Sequence, residues 1–126
     1  MILTLSRLLT NIYIYATIYN KGGLFMCNEI EVLKDKIVKS ADPEFIILFG
    51  QKNYIGSDKI REVNLCIVVS CTDCKKTEKR IYLEVESDIA FNIIVYTHEE
   101  WLRLKNDDTS YVASIIKKGV LIYEKA

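Results

Sequence analysis

Two unbroken apolar runs, Phe45-Ile46-Ile47-Leu48-Phe49 and Leu65-Cys66-Ile67-Val68-Val69, do most to limit what this chain can become. A strand with one wet face alternates apolar and polar residues, whereas a short run without alternation between turn signals reads as a strand buried on both faces. Each run has that form, and helical patterns lie around them.

From Glu29 to Ser40, Ile30, Leu33, Ile37 and Val38 recur at helical spacing, with Lys34, Asp35, Lys36 and Lys39 on the other face. Asp42-Pro43 stops this helix, because the residue before a proline is pushed out of the α region. Gly50 to Arg61 is polar and contains Gly50 and Gly56, so a turn with at most a short helix is expected. Thr77 to Ser87 is ambiguous: Ile81, Leu83 and Val85 alternate as in a strand, while Ile81 and Val85 also fit one helix face. Phe91 to Tyr96 is a third β-prone run. Thr97, with Glu100 three residues on, forms a capping box that starts a helix through Trp101 and Leu104. Asn106-Asp107-Asp108 ends it. A last helix is expected from Thr109 to Lys118, with Gly119 as its C-terminal cap and Val120 to Tyr123 as a closing strand.

At 126 residues a single domain is expected. The 17 Lys and Arg balance the 17 Asp and Glu, which argues against electrostatic nucleic-acid binding as the main task. Cys27, Cys66, Cys71 and Cys74 are irregularly spaced in a chain with enough apolar residues for a core, so no disulfide framework is needed and a reducing cytoplasm is expected. Residues 1–25 differ in character. Arg7, Asn11 and Asn20 interrupt an otherwise apolar stretch and spoil a membrane span, and a signal peptide lacks its leading positive charge and cleavage site. Lys21-Gly22-Gly23 permits the codons of a ribosome-binding sequence at the usual distance from Met26, so the expectation is a leader over 1–25 and a domain over 26–126.

Phe45 to Gly50-Gln51, followed by Glu62-Val63-Asn64 opening the second run, resembles the signature of the minimal nucleotidyltransferases, a branch of the DNA polymerase β-like superfamily. That signature is Phe-Gly-Ser, a turn, then Asp-x-Asp. Asn92-Ile93-Ile94-Val95-Tyr96-Thr97-His98-Glu99-Glu100 is similar to the family's third strand and helix start, and Ile115 to Glu124 to its closing helix and Gly-Val-Leu-Tyr-Glu ending. The resemblance covers about residues 29 to 124. It implies an α/β fold of the α+β kind, a small mixed sheet with helices packed on one side, and it favours a helix for Thr77 to Ser87.

The family's chemistry needs two divalent cations, held by carboxylates on a rigid element. Glu62 and Asn64 are two apart on a strand and share a face, where the family carries two Asp, and Asn92 stands at its third carboxylate position. Asn offers a carbonyl oxygen without charge, so only Glu62 is expected to ligate a metal. Its longer stem shifts the carboxylate, and misplacement of about 1 Å costs such sites roughly 10²-fold. Gly50 keeps the close backbone approach to phosphate, Gln51 replaces the small hydroxyl, and Lys52 and Lys59 are candidate phosphate partners, although such lysines are more often solvated. Gly56 lies near a second family glycine.

These residues imply a degenerate member that binds nucleotide or protein in the manner of an antitoxin, with weak or no transfer. Mg2+ and ATP would be its cofactors if any binding or activity is retained, and a helical HEPN-domain protein is the partner the resemblance implies. One alternative is an active transferase moving AMP from ATP to a protein or small-molecule hydroxyl, with Asp58 assisting Glu62. Another is a metal or redox protein built on Cys71-Thr72-Asp73-Cys74, although a structural zinc site wants a second cysteine pair. His98 is expected in an exposed first helical turn, Trp101, Tyr111 and Tyr123 in the core or at its edge, and Tyr96 near a cleft rim where it would stack on a base.

Overall fold

The computed structural model describes residues 27–126. The expectation of a leader over 1–25 lies outside the described residues, and among those residues no helix is long and apolar enough to cross a membrane. The elements run in the order α1 (Asn28–Ala41), β1 (Phe45–Asn53), β2 (Ile60–Val69), α2 (Cys74–Glu84), β3 (Ala90–Thr97), α3 (His98–Leu104), α4 (Tyr111–Lys118) and β4 (Val120–Glu124).

Ile30, Leu33 and Ile37 form the buried stripe of α1. Asp42 ends the helix in the left-handed region, at φ 46°, and its amide closes on Val38 O. A short polar side chain tolerates that conformation better than most, and Pro43 then prevents the helix from resuming. The four strands form one mixed sheet in the order β3-β2-β1-β4. β1 pairs antiparallel with both β2 and β4, while β2 and β3 run parallel through the α2 crossover. This is the α+β class with the small mixed sheet that the sequence leads one to expect.

The helices divide between the two faces of the sheet, where the family resemblance had packed them on one side. Ile46, Leu65 and Ile67 meet Ile30, Leu33 and Ile37 of α1 and Ile81 of α2. Their neighbours Phe45, Ile47, Cys66 and Val68 point the other way and meet Trp101 of α3 with Val112 and Ile115 of α4. The physical reason lies in the unbroken runs themselves. A fully buried Ile or Leu gains roughly 1.5–3 kcal/mol over an exposed one, so neither face of β1 or β2 can be left wet cheaply. The α2 crossover covers one face. The α3–α4 connection, which carries the chain from β3 at one edge to β4 at the other, covers the second.

A further difference concerns the segment from Gly50 to Arg61. Instead of a turn with a short helix, β1 continues through Gly50, Gln51 and Lys52 to Asn53, and β2 begins at Ile60. Residues 54–59 are the connection of a long β-hairpin, with Gly56 at φ 69°. The ambiguous segment after residue 74 is a helix, α2, begun by Asp73, whose side chain accepts from the Lys76 amide. Thr97 and Glu100 form the expected capping box of α3, and Ser110 caps α4 by accepting from the Ala113 amide.

Candidate functional site

The parallel register of β2 and β3 sets Asn64 beside Asn92 and Glu62 beside Ala90. Alternation then sends Glu62, Asn64 and Asn92 to the face that Cys66 and Val68 share with α3 and α4, at the end those helices leave open. The three side chains are in contact. Asn92 Nδ2 donates to Glu62 Oε2 at 2.7 Å and to Asn64 Oδ1 at 3.1 Å. The sequence placed these residues together, and so does the fold.

Their donor set does not fit a pair of hard divalent cations. Such ions want several anionic oxygens, whereas this cluster supplies one carboxylate and one amide oxygen. The third side chain turns an N–H group inward, between the two oxygens a cation would have to bridge. Among the described residues, no group of three or more His, Cys, Asp or Glu comes together in a way that could hold a metal ion.

Gly50 does not make a phosphate turn. It sits inside β1 opposite Asn64, just past an irregularity in the register between Leu48 and Gly50. A methyl group there would meet Asn64 Nδ2 at 2.6 Å, so its bareness serves the asparagine. Gln51 and Lys52 continue the hairpin ladder opposite Val63 and Glu62 and are exposed. The Gln51 amide is spent locally, donating to Asn53 Oδ1 at 3.1 Å. Asp58 and Lys59 lie in the hairpin connection, beyond the Asn53–Ile60 pair, with no hydrogen bond or ion pair to Glu62 among the described residues.

Tyr96 leans on Trp101, ring centroids 6.2 Å apart, and burial pushes its phenol up to about 12. It is partly buried and packs against the cluster of Phe45 and Trp101. Trp101 is fully buried and packs edge-on against Phe45 at 5.2 Å. His98 opens α3 with Nδ1 2.7 Å from Glu44 Oε1, tying the helix start to the beginning of β1.

Sequence reasoning missed one neighbour of the polar cluster. Phe49, next to Gly50, meets the half-exposed ring of Tyr111 at 6.0 Å, and Lys118 Nζ stands 5.9 Å from the Phe49 ring centre. The available signal was that Phe49 shares its side of β1 with Phe45 and Ile47. That parity places it on the α3–α4 face, although nothing in it identifies Tyr111 as the partner.

No known family model, curated protein or solved structure matches this chain.

Proposed function

We propose that this chain is a degenerate nucleotidyltransferase-like module that works by binding a protein partner, with little or no transfer of its own. The supporting observation is the Asn92 amide, which donates to both Glu62 and Asn64 and so ties up the oxygens that transfer chemistry would give to metal. Between the two kinds of binding implied by the resemblance, protein is favoured. The Gly50 and Gln51 backbone that would approach a triphosphate is part of the hairpin ladder. By the same resemblance, the partner is a helical HEPN-domain protein and the role antitoxin-like. The cytoplasmic location included in this reading is supported by four free cysteines, Cys27, Cys66, Cys71 and Cys74.

The test uses purified chain together with a candidate HEPN-domain protein. Labelled ATP and Mg2+ should give no transfer to that protein, while calorimetry should show the two proteins binding. Robust AMP transfer by the unmodified chain would overturn the non-catalytic half of the reading, and absence of binding would overturn the other half. In the Asn64→Asp, Asn92→Asp double variant, Mn2+ binding absent from the parent should appear, because three carboxylates then face one another.

A further inference from the structure

The opposite end of β2 carries a second constellation. Glu62 and Cys71 are separated by nine residues of mostly extended chain, roughly 30 Å at strand rise, so the two sites are independent. After Val69 the chain bends through Ser70, Cys71 and Thr72, Asp73 caps α2, and Cys74 is that helix's first residue. Cys71 is exposed, and Cys74 is half-buried. Cys71 and Cys74 stand three apart across one bend, and a disulfide between them requires a Cα separation of about 4.4–6.8 Å.

Each sulfur has its own polar partner. Cys71 Sγ lies 3.0 Å from the Oγ1 of Thr77, which is only 3 % exposed. Its hydroxyl donates to Asp73 O at 3.1 Å and can turn instead to a sulfur bearing charge. Cys74 Sγ donates to Glu100 Oε1 at 3.4 Å. Burial, then the Glu100 carboxylate, push the Cys74 thiol up to about 12, and the charges of Cys71 and Asp73 act on it in the same sense. One cysteine is open to solvent beside a hydroxyl, and the other is kept protonated behind it.

We infer that Cys71 and Cys74 form a redox-active dithiol that exchanges with low-molecular-weight disulfides, Cys71 attacking and Cys74 resolving. With oxidised glutathione, the Cys71 thiolate forms a mixed disulfide and displaces one glutathione thiolate, which takes up the proton Cys71 lost. Cys74 Sγ then attacks Cys71 Sγ. The second glutathione leaves with the proton that Cys74 had held toward Glu100. Two electrons pass from the dithiol to the glutathione disulfide, giving one intramolecular disulfide and two glutathione thiols.

The experiment treats the full chain with oxidised glutathione and follows intact mass, alkylation of remaining thiols and peptide mapping. Wild type should lose two hydrogens at Cys71 and Cys74 and recover them in dithiothreitol. Cys74→Ser keeps a hydroxyl for Glu100 and should stop at a stable glutathione adduct on Cys71. Cys71→Ser should react at least about tenfold more slowly, since the exposed thiolate is the nucleophile. Thr77→Val should slow the first step, and Thr77→Ser should restore it. The assignment falls if wild type halts at the mixed disulfide, if Cys71→Ser oxidises as fast as wild type, or if the disulfide involves Cys27. It loses the Thr77 contribution if valine changes nothing.

Discussion

Gly50 and Asn64 face each other across the β1–β2 ladder so closely that a methyl group on the glycine would stand 2.6 Å from Asn64 Nδ2 and 3.2 Å from its Cβ. The same asparagine turns its Oδ1 to Asn92. Rotating Asn64 away to relieve the contact would therefore break the hydrogen bond that joins the two strands. Gly50→Ala is expected to cost about 1–3 kcal/mol, as overpacking does. In an Asn64→Ala background the cost should largely vanish, because the colliding amide is gone. A double-mutant cycle from urea midpoints measures this, and equal costs in both backgrounds would refute the pairing.

Asn92 holds its neighbours together because it is a donor. Asn92→Asp would set a carboxylate against Glu62 in place of the present 2.7 Å hydrogen bond. Like charges at that range raise the folded-state pKa of one member of the pair. A carboxyl whose folded pKa is raised loses stability as pH climbs through its unfolded value, so the variant should be weaker than wild type at pH 7 and recover toward it near pH 4. The expected gap at neutral pH is at most about 1 kcal/mol, because solvent screens this exposed pair. Thermal melts at both pH values check it, and a gap that is the same at both would count against the contact.

The parts of this fold legible in the sequence are those written in local chemistry. Thr97 with Glu100, Asp42 before Pro43, and the stripe of Ile30, Leu33 and Ile37 each state an element boundary or a buried face within a few residues, and each is present. Polar spacing alone cannot separate a loop from a hairpin whose strands run past the core. Gln51, Lys52 and Asn53 are exposed strand residues, and exposed strands lose the apolar pattern that would mark them. That Glu62 and Asn64 share a face was readable from strand alternation, while Asn92 was added only by the family resemblance, and the parallel β2–β3 register brings it alongside them. The direction of the Asn92 amide was not, since it depends on the oxygens it meets.

Glu100 joins the capping box to the second site. Its carboxyl is held below the ordinary value of 4.5 chiefly by the Thr97 amide, with the Cys74 thiol and the Thr97 side chain adding to this. A depressed carboxylate stabilises the fold at pH values above its unfolded pKa, and that contribution is lost as pH falls through the folded value. Wild type should accordingly lose stability on acidification below about 4.5, in part through this group. Glu100→Gln retains an acceptor at the third helical position, so its cost at pH 7 should be at most about 1 kcal/mol. Its stability should then fall less steeply than that of wild type between pH 5 and pH 3. Denaturant midpoints across that range test the sign, and parallel curves would remove Glu100 from the account.

Gly119 ends α4 as expected, but its backbone is extended, with φ −90° and ψ 163°, a conformation open to any residue. What demands glycine is space. A methyl group at this position would collide with Ile47 Cγ2 on β1 and come within 2.6 Å of the Ile115 carbonyl oxygen, which already accepts the Gly119 amide at 2.8 Å. The carbonyl is backbone in the last turn of α4 and cannot swing aside. Ile47 is fully buried between the strands and the helix, so it has nowhere to retreat. Gly119→Ala is therefore expected to destabilise by about 1–3 kcal/mol even though alanine suits the dihedral angles. Ile47→Leu takes away the β-branch methyl Cγ2, so it removes only one of the two obstacles and should relieve only part of that cost. Full rescue by Ile47→Leu would show that the carbonyl contact yields easily, and a neutral Gly119→Ala would show that the β1–α4 junction is looser than the geometry requires.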